Sequence, residues 1–218
     1  MHWLQKLGPE CRNLKEINTH FQQMLEDGRH IFDASANALL GGTDPEVIRE
    51  DLFTTDQRIN RTEQAIRREI VVHGSVHGAG TFPALLVLMS LVKDAERVGD
   101  YCKNIYQLAC LKPDLGTPEE VQKLVDLKDQ VSKLIVRAHG IHISQDTVAA
   151  RDLIDEAGEI NRLCDQGIEN GIKVQGENRT GQVLTYRYFK RVVSHIGNIV
   201  TAVVMPIDML DYFDEPKG

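Results

Sequence analysis

The chain has 218 residues, a formal charge of −7 at pH 7 and a charged fraction of 26%. It has no basic excess, which argues against nucleic acid as a partner, because much of the affinity for nucleic acid comes from neutralising phosphates. No apolar stretch reaches the ~20 residues that cross a bilayer, and the first residues lack the pattern of a secretory signal, so we expect a cytoplasmic protein without a membrane span.

Apolar residues recur at helical spacing along nearly the whole chain, which predicts an all-α fold of six long helices. The first predicted helix covers 13–40 and ends before a Gly-Gly stop signal. The second opens at Thr43, which forms a predicted capping box with Glu46. We expect the glycine-rich segment 73–80 to be a loop that ends this helix, and a third helix to cover 82–111.

The second half of the chain shows the same organisation. After the link 112–116, a capping box at Thr117 and Glu120 opens a fourth predicted helix. A fifth helix follows 144–146, and a sixth begins beyond Gly181. The short connections favour antiparallel packing of neighbouring helices.

The sequence contains an internal repeat. Residues 59–61, Ile-Asn-Arg, recur as 160–162 at an offset of 101, and 96–105 align without gaps to 190–199 at an offset of 94. The difference of seven residues is what a shorter second loop in the later unit would produce. We therefore predict two tandem three-helix-bundle repeats that pack as one domain. The predicted units are residues 1–112 and 113–218.

Pairs of oxygen-bearing side chains stand out on the second and third predicted helices. Glu96 and Asp100 are four residues apart and hence on one face, and Asp56 and Asn60 make the same arrangement. On facing antiparallel helices these groups would suit a hard cation, which needs several oxygen ligands. The alternative is a solvated helix face in which Glu96 pairs with a neighbouring arginine. Spacing alone leaves both interpretations open.

The motifs around these carboxylates resemble a known family. Residues 94–100, followed by 104–105, are similar to the signature of the PhoU family of phosphate-uptake regulators. So are residues 187–191, followed by His195 and 198–199, in the second repeat. The helix number and the tandem arrangement also fit, so the resemblance covers most of the chain.

The resemblance implies a metal site in the first repeat. In this family each repeat presents a pair of acidic motifs from two facing helices, which can bind metal ions or clusters. The implied ligands of a divalent or iron-type ion are Asp56, Asn60, Glu96 and Asp100. The second repeat departs from the pattern, because neutral or basic residues replace the carboxylates, and we predict that it is metal-free. The equivalent positions are Ala157, Asn161, Lys190 and Ser194.

The resemblance also implies a function. It predicts a regulator, not an enzyme, that acts negatively on the phosphate-starvation response and links a phosphate transporter and/or a sensor histidine kinase at the cytoplasmic membrane face. A homodimer is one option for its assembly. The sequence shows no glycine-rich phosphate loop, nucleophile elbow or H-E-x-x-H motif, so no catalytic residue is predicted.

Two other functions stay open at this stage. A metal-binding carboxylate bundle could be an enzyme or a storage protein, although such bundles typically use Glu-x-x-His, and neither Glu63 nor Glu96 has a histidine three residues later. The chain could instead be an accessory module of one phosphate carrier.

Histidines and cysteines give weaker signals. His73 and His77 have the spacing of metal ligands on a helix, but the surrounding glycines favour a solvated loop. His139 and His142 have no carboxylate in local register, and no site is predicted there. The cysteines lack metal-binding or redox spacing, so we expect buried, reduced thiols. They are Cys11, Cys102, Cys110 and Cys164.

Overall fold

The computed structural model describes residues 12–210, with the side chains of 12–15 and 207 left aside. The described chain forms six long α-helices and two short 3₁₀ turns, and it contains no strand, which confirms the predicted all-α fold. The helices are α1 (Arg12–Leu40), α2 (Pro45–His77), α3 (Phe82–Cys110), α4 (Pro118–Ser144), α5 (Thr147–Lys173) and α6 (Thr180–Val204).

Side-chain caps define three of the helix starts, those of α2, α4 and α5. The predicted capping box of α4 is confirmed: Thr117 Oγ1 accepts from the Glu120 amide at 3.4 Å, and Glu120 Oε2 accepts from the Thr117 amide at 2.7 Å. At α2 the predicted cap was one residue off. Asp44, not Thr43, caps the helix, with Oδ1 accepting from the Glu46 amide at 3.1 Å.

The prediction of a loop over 73–80 was wrong, because α2 continues through Gly74 to His77. A side chain at Gly74 would place its Cβ 3.0 Å from the Phe82 ring and 3.2 Å from Leu85 Cδ1. This glycine therefore allows close packing of α2 on α3 and does not break the helix. The helix ends at Gly78, whose φ of 75° is a left-handed conformation that favours glycine.

One hydrophobic core runs through both helix triplets. Helix α1 packs against α2, α3 and α4, while α6 packs against α3, α4 and α5. Phe32 of α1 and Phe189 of α6 are fully buried, with ring centroids 5.4 Å apart. Burial of a side chain of this size stabilises the fold by roughly 1.5–3 kcal/mol.

A polar junction joins α3 to α6 at the contact between the triplets. Tyr101 stacks on His195 with a centroid distance of 5.7 Å, and the offset of 94 makes these two residues equivalent. The buried Asp94 places Oδ1 2.7 Å from His195 Nδ1 and accepts from Asn198 Nδ2 at 3.2 Å. Arg191 Nε donates to the Tyr101 hydroxyl at 3.1 Å. One pair of equivalent residues, Tyr101 and His195, thus meets across the junction.

The described cysteines are free, and only two of them fit the prediction of burial. Cys102 and Cys164 are buried, and burial raises the pKa of the Cys164 thiol to about 12, assisted by the negative charge of Asp165. Cys110, at the end of α3, is exposed, contrary to the prediction. Cys11 lies outside the described residues.

Candidate functional site

The predicted ligands of the first repeat lie along the interface between α2 and α3. Asp56 and Glu96 are buried, with 7% and 9% exposure, while Asn60 and Asp100 are half-buried. The two helices approach closely at Gly99, where a Cβ would lie 3.7 Å from Asp56 Oδ1. This close approach brings Asp56 to the face of α3.

A lysine joins the two aspartates across this interface. Lys103 Nζ lies 3.0 Å from Asp56 Oδ1 and 3.0 Å from Asp100 Oδ1. Asn60 Nδ2 donates to Asp56 Oδ2 at 3.3 Å, so three of the four predicted ligands come together. Burial by itself lowers the pKa of Lys103, but hydrogen bonds to Asp100 and Asp56 outweigh it and raise the pKa overall.

The fourth predicted ligand, Glu96, contacts a different lysine from the other three, although it is close enough to Asp100 for the two charges to interact. Glu96 Oε2 lies 2.5 Å from Lys93 Nζ, which is also 3.9 Å from Glu63 Oε1. Arg67 completes the group, with Nη2 2.8 Å from the same Glu63 oxygen. Burial raises the pKa of Glu96, and the hydrogen bond from Lys93 opposes this shift. In the alternative interpretation of a solvated helix face Glu96 paired with an arginine, whereas the structure shows a lysine on the same helix.

These contacts bear on whether the site suits a metal ion. The ammonium of Lys103 lies between Asp56 and Asp100, the position where their charges would attract a cation. Within residues 12–210 no three His, Cys, Asp or Glu side chains are arranged to hold a metal ion. A metal ion at these residues would require Lys103 to move away from both aspartates, and metal binding in the first repeat stays a prediction.

The equivalent positions of the second repeat form an uncharged contact. Ala157 is fully buried on α5, and Asn161 Nδ2 donates to Ser194 Oγ on α6 at 3.2 Å. Lys190 of α6 places its Nζ 2.6 Å from both carboxylate oxygens of the exposed Asp165 on α5. The basic residue of this repeat therefore also joins two helices, but through an exposed partner at the edge of their interface, whereas Lys103 contacts the buried Asp56.

The two lysines of the first repeat are the functional residues that sequence reasoning missed. Lys93 lies three residues before Glu96, and Lys103 lies three residues after Asp100. This i, i+3 spacing brings side chains together on a helix surface, so the signal was present in the sequence. By the offset of 94, Gly197 stands in the second repeat where Lys103 stands in the first.

Comparison with known proteins shows sequence similarity to one protein family in the first three helices. Residues 21–109, which fall within α1–α3, match the family model of the PhoU domain. The phosphate-specific transport system accessory protein PhoU of Serratia marcescens is 29% identical over 97 residues, which are 44% of this chain and 36% of that protein. The matched region thus spans about a third of the length of this curated relative.

Solved structures share the whole helical arrangement. PhoU from Pseudomonas aeruginosa superimposes with a TM-score of 0.77 at 18% identity, covering 88% of this chain and 95% of that one. The phosphate transport system regulatory protein PhoU from Streptococcus pneumoniae gives a TM-score of 0.72 at 17% identity, with the same coverage. At such low sequence identities, the structural similarity establishes that these proteins share the fold of six helices.

Proposed function

We propose that this chain, whose residues 21–109 belong to the PhoU domain family, is a non-enzymatic regulator of phosphate uptake and of the phosphate-starvation response. The observation that carries the proposal is this family match, and the six-helix fold shared with PhoU structures over 88% of the chain supports it. The proposed action is negative, so the protein represses the starvation response when phosphate is ample.

The proposed partners are a phosphate transporter and/or a sensor histidine kinase at the cytoplasmic membrane face. The similar protein of Serratia marcescens is an accessory protein of a phosphate-specific transport system, which supports a transporter as partner. Across residues 12–210 no helix is long and apolar enough to cross a membrane. We therefore propose that the chain works in the cytoplasm and reaches the membrane through its partners.

We propose that the charged contacts between α2 and α3 fix the relative position of these two helices in the adaptor. Lys103 ties Asp56 on α2 to Asp100 on α3, so the interface holds two helices in one relative position. Asp56 is buried, and its charge is compensated by the ammonium that it contacts. A fixed position of α2 on α3 would present the outer faces of both helices to a partner in a defined way.

A deletion experiment tests the regulatory proposal. The gene is deleted, and the strain is complemented with the wild-type chain or with an empty vector. A phosphate-responsive reporter and the uptake of labelled phosphate are then measured at scarce and at ample phosphate. We expect the deletion to raise reporter expression at ample phosphate and the wild-type chain to restore repression. Unchanged reporter and uptake in the deletion strain at both phosphate levels would refute the proposal.

The partner is tested separately. Crosslinking in phosphate-replete cells, followed by capture of the tagged chain, is expected to recover a subunit of a phosphate transporter or a sensor kinase. Recovery should fall when the same cells are starved of phosphate. Recovery that is the same in both conditions, or the absence of both partner classes, would contradict the adaptor role.

Metal binding in the first repeat is a further proposal that can be decided independently. A divalent or iron-type ion at the predicted ligands would have to displace Lys103 from Asp56 and Asp100. Crystals of the wild type and of the Glu96→Ala/Asp100→Ala variant are soaked in metal, and the ions are located by anomalous scattering. Occupancy at these ligands that disappears in the variant supports a site, whereas an ion beside Lys190 and Ser194 contradicts it.

A further inference from the structure

The last turn of α2 contains a buried histidine without a hydrogen-bond partner. His73 is 2% exposed, and neither of its ring nitrogens has a partner. Buried polar atoms are nearly always hydrogen-bonded, and leaving them unpaired costs free energy. His77 lies one turn further along, exposed to solvent, with its ring centroid 4.2 Å from that of His73. Both ring nitrogens of His73 are therefore free to bind a ligand.

The helical backbone fixes the position of His73 relative to His77. Because α2 remains helical to His77, the two imidazoles share one face of the helix, which the expected loop would not have provided. The contact of Gly74 with Phe82 and Leu85 holds this turn against α3. Two histidines at i, i+4 on a helix are the spacing by which imidazoles bind a transition metal in helical zinc motifs.

The charges around the pair do not oppose a cation. Residues 70–92 contain no Asp, Glu, Lys or Arg, so this tip of the α2–α3 hairpin has no ammonium such as Lys103 to compete with an ion. Burial, together with the neighbouring His77, lowers the pKa of His73. The neutral imidazole, which is the form that binds metal, is therefore favoured near pH 7.

We propose that His73 and His77 bind one borderline transition-metal ion, of the class Zn²⁺, Ni²⁺ or Cu²⁺. Imidazole is a suitable ligand for these ions, whereas the carboxylates beside Lys103 would suit harder cations. Two protein ligands are available, because the described residues hold no third His, Cys, Asp or Glu in position, and water completes the coordination. The exposed ring of His77 turns toward the buried nitrogens of His73 when the ion binds.

Calorimetric titration of the full chain with NiCl₂ tests this site. The variants are His73→Gln and His77→Gln, and His139→Gln is the matched control, because it removes a histidine of the other closely spaced pair. Substitution of a residue that only hydrogen-bonds a metal ligand already lowers metal affinity roughly 10–100-fold. We therefore expect the loss of a ligand, in either variant, to weaken Ni²⁺ binding at least ~10-fold. His139→Gln should bind as the wild type does.

Two further measurements separate the outcomes. His77 is exposed, so His77→Gln should keep the helical circular dichroism of the wild type, and its loss of binding cannot come from unfolding. Glu96→Gln/Asp100→Asn should retain the Ni²⁺ site. Absence of binding in the wild type, equal binding in His77→Gln, or loss of binding in the Glu96→Gln/Asp100→Asn variant would overturn the proposal.

Discussion

The α2–α3 and α5–α6 pairs hold equivalent places in the two repeats, but different contacts join their helices. Between α2 and α3, Lys103 bridges two aspartates. Between α5 and α6 the buried contact of Asn161 with Ser194 is neutral, and Lys190 pairs with the exposed Asp165. Further along the same pair of helices Gly171 allows close approach, since a Cβ there would lie 2.5 Å from Val183 Cγ2. The same three-helix frame therefore accommodates a buried aspartate with its lysine in one repeat and a neutral buried contact in the other.

This difference predicts which kinds of substitution destabilise each repeat. A buried ion pair adds little net stability when formed, because desolvation offsets the attraction, but removal of one partner leaves an uncompensated charge. A closely packed contact is sensitive to added volume instead. We therefore expect charge changes to matter most in α2–α3, volume changes to matter most in α5–α6, and a charge placed in α5–α6 to be the most damaging of all.

The largest effect is expected from Ala157→Asp, which puts a first-repeat carboxylate into the second repeat. Ala157 is fully buried, and Lys190 is engaged with Asp165 at the surface, so the new charge has no partner. We expect the free energy of unfolding at pH 7 to fall by at least ~3 kcal/mol, measured by urea denaturation.

The control for this change is Ala157→Asn, which has nearly the same volume without the charge. Burial raises the pKa of the new carboxylate, so the folded state binds a proton more readily than the unfolded state. The extra loss relative to Ala157→Asn should therefore shrink as the pH falls toward about 4. Equal losses in both variants at pH 7 would show that Lys190 moves inward and pairs with the carboxylate.

The second prediction compares the loss of stability on substitution of Lys103 and of Lys190. Lys103→Met leaves the buried Asp56 without its cation, while Asp100 keeps only Arg97 at 4.0 Å, and we expect a loss of roughly 2–3 kcal/mol. Lys190→Met breaks only an ion pair with the exposed Asp165, so its loss should stay below ~1 kcal/mol. Urea unfolding of both variants measures the difference. Similar losses for the two lysines would remove the distinction between the charged and the neutral interface.

A glycine pair tests the sensitivity to volume. In Gly171→Ala the new methyl group meets Val183, whose β-branched side chain has few alternative rotamers, and we expect a loss of about 1–2 kcal/mol by thermal unfolding. In Gly99→Ala the nearest atom, Ile59 Cδ1, is 3.3 Å away, and the higher helix propensity of alanine offsets the tighter contact. A larger loss in Gly99→Ala than in Gly171→Ala would reverse the comparison.

The smallest expected effect concerns the second charged group of the first repeat. Burial raises the pKa of Glu96, so the ionised form costs stability, and this cost grows as the pH rises through its raised pKa. Glu96→Gln should therefore change stability by less than ~1 kcal/mol at pH 7, and its stability relative to the wild type should decline as the pH falls toward 4.5. A relative stability that increases on acidification would show that the pKa of Glu96 is lowered, not raised.

Much of the architecture was predictable from local patterns. The apolar period located the six helices, and the capping box at Thr117 placed the start of α4 correctly. At α2 two adjacent residues, Thr43 and Asp44, were both suitable caps, and only the backbone geometry selects Asp44. Gly74 was misinterpreted as a helix breaker, because its packing against Phe82 is a contact between helices that no local window contains.

For the candidate site, too, one part of the arrangement was predictable from the sequence and another part was not. The i, i+4 spacing correctly put Asp56 and Asn60 on one face and let Asp100 meet them across the interface. It did not predict that Lys103 would lie between the aspartates, because the contact of Lys103 with Asp56 depends on the packing of α2 against α3. Whether this cluster binds a metal is still a prediction.

The sequence by itself determined the helices and their amphipathic faces, because these depend on a period of 3.6 residues and on contacts within one turn. The tertiary structure alone decided which side chains compensate each other. Asp94 with His195 and Tyr101 with Arg191 are pairs separated by 101 and 90 residues, and their contact depends on the crossing of α3 and α6. The orientation of Lys190 toward Asp165 was likewise decided there, since a long flexible side chain takes the partner that the packed helices leave within reach.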